Sequence, residues 1–519
     1  MFCVVEELAM MDRSVQRTSA WFLAGLSAIV LACASGPTLH ERAWIEVSTP
    51  NFQIMSTMSH EKASKLAIDL ERFRAVIARF TNATMSDSPI PTKIFAFERE
   101  SDFRRVTHAS DVAGWIIPGM RQNLIALADY RGMDSSQIIR HEYVHFVLRN
   151  ATTIRYPTWY DEGFAEYMSS YAVRKNQELV IGTVQPERVQ VLNWAPWIPL
   201  RRVIEARGLD SFHNCTEVAV FYAEAWALVH YLHQGREGRH NVSEEMDRYL
   251  KLVEVGSSDE DAFEEAFGMS ISIANRDVKI YLNRKIQAIV FALSVLNFEP
   301  PEPSIRTMSP GEASAELGQL FLARGEGLRA EPYFEIAIAA NPENARAHAG
   351  FGDSLKFQGR WEEAEPHFHR GVELGPEDAL NYLDLAEYYH DKAREEAFKG
   401  DREALLREAR RNYVKSQKLD PTLPETYAMY GSTYFEDGQD HTRAIQTIEH
   451  ANSLLPSNTD ILLMLANAYV LNDRDDEARE LVERYVAWSH SKDRAEAVSK
   501  ILADLNGEST AAPEASAPN

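Results

Sequence analysis

Hydrophobic and polar residues alternate at strand spacing in several short stretches of the N-terminal third of the chain. The alternation predicts a small hairpin and three further strands, at residues 44–47, 52–56, 92–97, 115–118 and 123–127. Apolar residues at helical spacing predict a helix at about residues 61–80. The buried side of that helix is formed by Leu66, Leu70, Phe73, Val76 and Ile77. After residue 167 the pattern is mostly helical, with a last helical stretch of this domain predicted at 271–296.

A repeat occupies the C-terminal part of the chain. Pro342, Pro376, Pro421 and Pro456 close successive units. The units share small and aromatic residues at fixed offsets: Gly318, Ala330 and Phe334; Gly352, Ala364 and Phe368; Ala386, Ala409 and Tyr413; Gly431 and Ala444; Ala466 and Ala478. The period of about 34 residues resembles tetratricopeptide repeats, which implies stacked helix pairs around a groove that binds peptides or proteins. A purely structural solenoid is the alternative.

Two histidines four residues apart frame the clearest chemical motif. His141, Glu142 and His145 form His-Glu-x-x-His in a stretch of helical character. Positions i and i+4 lie on the same side of a helix, so the two imidazoles can hold one zinc ion with Glu142 beside them. For this motif alone, a surface helix with two unconnected histidines is the alternative.

A second acidic motif follows in the next predicted helix, which starts at about Pro157 and carries Glu162 and Glu166 on one face. Sixteen residues separate His145 from Glu162. This length allows one helix to end, a loop to turn and a second helix to return a carboxylate to the metal. Two histidines and one glutamate leave a fourth position open for water, as a catalytic zinc site requires.

His-Glu-x-x-His followed by Trp-x-x-Glu-Gly-x-Ala-Glu-Tyr at residues 159–167 resembles the gluzincin metallopeptidases, and most closely their peptidase-MA-like branch. The resemblance implies these roles: His141, His145 and Glu162 as ligands of Zn2+, Glu142 as general base, Glu166 as a carboxylate that orients a ligand histidine, and Tyr222 as the group that polarises the substrate carbonyl. For Tyr222, a structural tyrosine with a satisfied hydroxyl is the alternative.

The resemblance implies an α+β gluzincin-like metallopeptidase domain followed by an all-α tetratricopeptide-repeat solenoid. It also implies an exposed edge strand that pairs with an extended substrate, which we place near residues 114–117. A plain core strand is the alternative there. The implied function is a zinc-dependent peptidase, with endopeptidase favoured because the spacing to Glu162 is shorter than in aminopeptidases. The repeats then recruit protein substrates or partners. The alternative is a repeat scaffold with an inactive or regulatory metallopeptidase-like domain.

Composition and charge exclude some functions. The chain has 519 residues, and its net charge of −23 argues against nucleic acid as a partner, since phosphate binding needs a basic face. Its three cysteines, Cys3, Cys33 and Cys215, predict neither a disulfide framework nor a cysteine zinc site.

The first residues predict export. Arg13 and Arg17 precede a short apolar core at residues 21–32, and Cys33 follows in a sequence that resembles a lipoprotein cleavage box. We therefore expect a bacterial periplasmic protein or an outer-membrane lipoprotein facing the periplasm, with a possible lipid anchor at Cys33. An ordinary signal peptide is the alternative. The predicted organisation is a signal peptide at 1–33, a metallopeptidase domain at 42–297, a proline-rich linker at 298–310, about five repeats at 311–505 and a disordered tail at 506–519.

Overall fold

A computed structural model describes residues 38–81, 90–107, 114–128, 135–151, 156–236, 242–488 and 501, except for the single residues 176, 285, 437, 439 and 457. The predicted signal peptide at 1–33, the candidate lipid anchor Cys33 and the predicted tail at 506–519 lie outside the described residues. Within the described ranges, no helix combines the length and the apolar character that a membrane span requires.

The alternating stretches form two sheets. The strands are β1 (Ile45–Ser48), β2 (Phe52–Ser56), β3 (Thr92–Phe97), β4 (Gly114–Ile117), β5 (Asn123–Ala128), β6 (Ala172–Val173), β7 (Glu178–Ile181), β8 (Ile289–Ala292) and β9 (Ser304–Thr307). The larger sheet has the order β4-β5-β3-β2-β1-β9, and the smaller one the order β6-β7-β8. The predicted hairpin is confirmed as the antiparallel pair β1–β2, and β3, β4 and β5 confirm the further predicted strands.

The sheet has β4 at one edge. β2, β3 and β5 run parallel to one another, whereas β4 runs antiparallel to β5, with Trp115 opposite Ala126. In the described part of the chain, β4 pairs only with β5. The predicted edge strand near residues 114–117 is thus an edge of this sheet.

The helices of the N-terminal region are α1 (His60–Thr81), α2 (Glu100–Phe103), α3 (Ser135–Ala151), α4 (Thr158–Ser169), α5 (Pro186–Trp194), α6 (Leu200–Glu205), α7 (Cys215–His230), α8 (Ser243–Glu254), α9 (Asp259–Phe267) and α10 (Ile271–Leu282). The helix predicted at 61–80 is confirmed as α1. The region is therefore α+β. The helix predicted at 271–296 is wrong beyond Leu282, because residues 289–292 form β8 and pair with β7.

The structure also corrects the linker predicted at 298–310. Its second half contains β9, which pairs antiparallel with β1 from Ser304 opposite Ser48 to Thr307 opposite Ile45. Pro300, Pro301 and Pro303 precede the strand, where an edge strand tolerates them, and Pro310 follows it as the first residue of α11. Arg306 on β9 forms ion pairs with Glu46 on β1 and with Glu312. The chain thus enters the repeats directly from the sheet.

The repeats are five antiparallel helix pairs within the described residues, in agreement with the predicted number. Their helices are α11 (Pro310–Ala323), α12 (Gly327–Ala340), α13 (Ala345–Phe357), α14 (Trp361–Leu374), α15 (Ala379–Arg394), α16 (Arg402–Leu419), α17 (Pro424–Glu436), α18 (His441–Leu454), α19 (Thr459–Val470) and α20 (Asp475–Trp488). Small residues set the helix spacing: a Cβ atom at Gly318 or Gly350 would lie 2.4–2.9 Å from ring atoms of Phe334. The ring therefore fills the space that these two glycines leave open.

The large sheet divides two hydrophobic cores, because successive residues of a strand point to opposite faces. Ile94 belongs to the core that includes residues of α1 and α3, such as Leu70 and Val144. Phe95, its neighbour on β3, belongs to a core shared with Leu317 on α11. The first repeat thus covers the second face of the sheet, and the N-terminal region and the repeats share one core.

Candidate metal centre

Two neighbouring helices bring together the three residues that the motifs predicted as ligands. The Nε2 atoms of His141 and His145, both on α3, lie 3.2 Å apart. Glu162 Oε2, on α4, lies 3.3 Å from His141 Nε2 and 3.4 Å from His145 Nε2. All three side chains are buried, with Glu162 only 1% exposed. In the described part of the chain, these three residues form a group that could hold a metal ion.

The spacing of the three donor atoms fits a tetrahedral metal ion. Zinc binds histidine nitrogen and carboxylate oxygen at about 2.0–2.1 Å, so two ligands at the tetrahedral angle lie about 3.3 Å apart. The three measured separations, 3.2, 3.3 and 3.4 Å, agree with that value. The donor set of two imidazoles and one carboxylate matches that of catalytic zinc sites with one open position.

Local packing explains how Glu162 reaches the histidines. The helix α4 starts after Pro157, whose backbone is extended. At Gly163, next to Glu162, a Cβ atom would lie 2.4 Å from the carbonyl oxygen of Ala225 on α7. Only glycine permits α4 to lie this close to α7, because any side chain would push the two helices apart. This close contact sets the orientation of α4 relative to α7, and with it the direction in which Glu162 points.

Carboxylates face the outer nitrogens of both histidine rings, with a hydrogen bond at His145 and an ion-pair distance at His141. Asp161 Oδ1 lies 3.0 Å from His145 Nδ1, and Glu166 Oε1 lies 3.4 Å from His141 Nδ1. A carboxylate in this position fixes the ring and directs Nε2 toward a metal. The structure therefore places Glu166 beside a candidate ligand, as predicted. Asp161 was missed, although it directly precedes Glu162 in the second motif.

Arg188 on α5 supports Glu166 from the other side. Its Nε and Nη2 atoms donate hydrogen bonds to Glu166 Oε2 and Oε1 at 3.0 and 2.5 Å. Burial lowers the pKa of Arg188, but Glu166 outweighs this and holds it above its usual value. Such a bidentate pair has a fixed geometry. No sequence signal pointed to Arg188, because 22 residues separate it from Glu166.

The remaining predicted residues lie around this group. Tyr222 on α7 is 6% exposed; its ring centroid lies 6.3 Å from that of His141, and the Arg188 guanidinium lies 5.4 Å from the Tyr222 ring. Glu142 is half-buried on α3, next to His141. All six residues predicted from the sequence therefore belong to three helices that meet here.

Comparisons with known proteins divide the chain in the same way. A family described as "Protein of unknown function (DUF1570)" matches residues 135–249, the segment that contains the metal centre. Two tetratricopeptide-repeat families match residues 315–379 and 435–504. The C-terminal region therefore carries tetratricopeptide repeats, a fold that forms protein-interaction scaffolds.

Several solved structures are similar to part of the chain. A thermophilic tetratricopeptide-repeat protein of Thermus thermophilus has 19% identity over 38% of this chain and 99% of its own, with a TM-score of 0.34. PilF of Pseudomonas aeruginosa has 16% identity over 38% of this chain and 85% of its own, with a TM-score of 0.32. MamA of Desulfovibrio magneticus has 17% identity over 35% of this chain and 97% of its own, with a TM-score of 0.28. A search of curated proteins gave no match.

Proposed function

We propose that the N-terminal region is a zinc-dependent peptidase and that the repeats bring protein substrates or partners to it. The observation that carries this proposal is the separation of 3.2–3.4 Å between the donor atoms of His141, His145 and Glu162. Imidazole and carboxylate donors suit zinc, and the outer carboxylates on both rings are typical of metal sites. When bound, zinc activates water and polarises the carbonyl of the scissile bond.

The residues of the chain supply the proton transfers and the orientation. Glu142 accepts a proton from the attacking water and passes it to the leaving amine, the role of a general base and acid. Asp161 and Glu166 hold the two imidazoles in place, and Arg188 holds Glu166. Tyr222 donates a hydrogen bond to the oxyanion that forms on the substrate carbonyl.

The edge strand β4 supplies a place for an extended substrate. An edge strand presents unpaired backbone groups, and an added peptide strand can bind to them. Ile116 on β4 packs against the core that also contains Val144 and Val147 of the helix α3. A substrate strand on β4 therefore lies near the helix with His141 and His145. A strand-like binding mode does not require a free peptide end, which favours an endopeptidase.

We also propose that the protein acts in the bacterial cell envelope. The predicted signal peptide at residues 1–33 supports this, and Cys33 is the candidate for lipid attachment. Incorporation of labelled palmitate by the wild-type chain, and its loss in Cys33→Ser, would establish the anchor. Export without palmitate would leave an ordinary signal peptide.

The experiment that tests the function measures zinc and hydrolysis in the same samples. Purified wild-type protein should retain about one zinc per chain after dialysis and cleave a quenched peptide library. His145→Ala should lose most of its zinc and its hydrolysis, whereas His213→Ala, at an exposed histidine outside the site, should lose neither. Zinc bound by the wild type without cleavage of any peptide or envelope protein would contradict the peptidase. It would favour a repeat scaffold with a regulatory metal domain.

A further inference from the structure

The turn between β4 and β5 extends into the repeats. Arg121, in this turn, binds three carboxylates with its three guanidinium nitrogens: Nη1 donates to Asp384 at 2.7 Å, Nη2 to Glu387 at 2.8 Å and Nε to Glu425 at 2.5 Å. These partners lie 263 to 304 residues further along the chain. Each of the three guanidinium nitrogens therefore donates to an acidic residue of the repeats.

The carboxylates belong to the inner face of the repeats. Asp384 and Glu387 lie on α15 and Glu425 on α17, the first helices of consecutive pairs. The first helices of stacked pairs line the concave surface of such solenoids. Arg346 on α13 also binds Asp384, at 2.6 Å. The groove is acidic at this level, and Arg121 enters it as an arginine from a bound peptide would.

Burial makes this contact strong. The side chain of Asp384 is 1% exposed, those of Glu387 and Glu425 are 14% and 13% exposed, and that of Arg121 is 22% exposed. Burial raises the pKa of Glu387, and Arg121 opposes that rise. Removing one member of a buried ion cluster leaves the others without compensation and is strongly unfavourable. The groove therefore favours a cationic side chain at this position.

The same turn is joined tightly to the edge strand. Five residues, 118–122, connect the end of β4 at Ile117 to the start of β5 at Asn123. At Gly119, a Cβ atom would lie 2.5 Å from the carbonyl oxygen of Gln122, so the turn is too tight for a side chain at this position. With so short and close a turn, a shift of Arg121 moves the end of β4.

We propose that the inner face of the repeats is an arginine-binding groove that the chain fills with its own β4–β5 turn, and that an arginine-bearing segment of a partner protein takes the place of Arg121 and releases edge strand β4. The acidic groove is the basis for two parts of this proposal: the turn docks in the groove, and a partner segment can replace it there. The consequence for substrate binding rests on the proposed peptidase function, because only that function assigns the substrate to β4.

Because the β4–β5 turn belongs to the same chain as the groove, a partner segment must compete with a covalently tethered ligand. A segment joined by a short linker faces its site at an effective concentration on the order of millimolar. A single arginine in trans therefore cannot compete, and the partner segment needs further contacts along the groove. Lys356, held between Asp353 at 3.2 Å and Asp391 at 3.0 Å, marks where the acidic surface continues.

The test uses the full chain and a labelled peptide with the sequence of residues 117–123, made with Arg or with Gln at position 121. Arg121→Gln removes the guanidinium that contacts Asp384, Glu387 and Glu425 and leaves Arg346 on Asp384. We expect this variant to bind the Arg peptide at least about tenfold more tightly than the wild type does, since a hydrogen bond between charged groups contributes roughly 1.5–3 kcal/mol. The Gln peptide should bind both proteins weakly. Equal binding of the two peptides to Arg121→Gln would overturn the proposal.

A second measurement does not depend on that variant. Hydrogen exchange of the backbone amides of residues 114–117 should be faster in Glu387→Gln and Arg121→Lys than in the wild type, because a single ammonium nitrogen cannot reproduce the three donor positions of the planar guanidinium. Arg370→Gln, at an exposed pair with Glu373, should exchange like the wild type. Unchanged exchange in both groove variants would contradict the link to β4. Both assays are independent of peptide hydrolysis, so a failed peptidase assay leaves them valid.

Discussion

The candidate metal centre and the Arg121 cluster each contain three buried or largely buried carboxylates, but they differ in which groups face the carboxylates. In the Arg121 cluster, the guanidinium contacts Asp384, Glu387 and Glu425 directly. In the metal centre, Arg188 binds Glu166, and the carboxylate of Glu162 faces two imidazole nitrogens. Imidazole nitrogens can serve as metal ligands, whereas a guanidinium has no acceptor atom and cannot.

This difference separates a structural cluster from a candidate reaction site. A buried carboxylate needs a compensating charge or hydrogen bonds. In the Arg121 cluster, each of the three carboxylates accepts a hydrogen bond from the single Arg121 guanidinium, and Arg346 adds a second guanidinium at Asp384. Where two imidazole nitrogens lie 3.3–3.4 Å from a carboxylate oxygen, the three atoms have the spacing of metal ligands. The comparison therefore predicts large functional effects at the metal centre and effects on docking at the Arg121 cluster.

The largest effect is expected at Glu142. Glu142→Gln keeps the size of the side chain but cannot accept a proton, so kcat for peptide cleavage should fall by about 10²–10⁴. Zinc content should stay unchanged, because Glu142 is not one of the three grouped donors. The measurement is the initial rate on a quenched peptide with zinc determined in the same sample. Glu264→Gln, at an exposed glutamate of α9, is the matched control. Wild-type rates in Glu142→Gln would exclude this residue as the base.

The carboxyl group of Glu224 is also buried, but it lies in neither of the two clusters compared above. Glu224 on α7 is 1% exposed and accepts a hydrogen bond from the backbone nitrogen of Ile198 at 2.6 Å. Burial raises its pKa to about 8, against the opposing effects of the Ile198 amide and Lys279. The folded state therefore binds this proton more tightly than the unfolded state does. The stabilisation is complete below the unfolded pKa of 4.5 and is lost as the pH rises through 8.

Glu224→Gln should remove this pH dependence. Between pH 5 and pH 8, the wild type should lose roughly 3 kcal/mol of unfolding free energy through this group. The variant can still accept the Ile198 hydrogen bond and should gain stability relative to the wild type over that interval. Urea unfolding at both pH values measures the difference, and Glu264→Gln again serves as control. A constant difference between variant and wild type would mean that Glu224 is ionised when folded.

The sequence alone was sufficient to predict the residues whose relative positions follow from the local geometry of a helix. His141 and His145 are one helical turn apart, so their common direction follows from spacing alone. The return of Glu162 followed from a second motif at a plausible distance. Arg121 could not be connected with Asp384 in this way, because 263 residues and the curvature of several repeats separate them. Strand β9 was missed because the prolines before it indicate a linker.

The smallest effect is expected at Glu166, which faces the candidate ligand His141 but is not one of the three grouped donors. Glu166→Gln removes the charge that faces both His141 Nδ1 and Arg188 but keeps an acceptor oxygen. Loss of such a supporting contact usually weakens metal binding by about 10–100-fold. We therefore expect a zinc Kd weaker by that factor, measured by competition with a chromophoric chelator, with unchanged helix content.

The same variant decides between two readings of the pair Glu166 and Arg188. If the pair only packs α4 against α5, Glu166→Gln should lower the unfolding free energy and leave the zinc Kd of the folded protein unchanged. If Glu166 orients His141, the Kd should weaken even where the protein is fully folded, and Glu264→Gln should change neither quantity. The Arg121 cluster offers the opposite case, because Glu387→Gln should alter peptide docking without any change in zinc affinity. The two carboxylates thus separate metal binding from docking within one set of measurements.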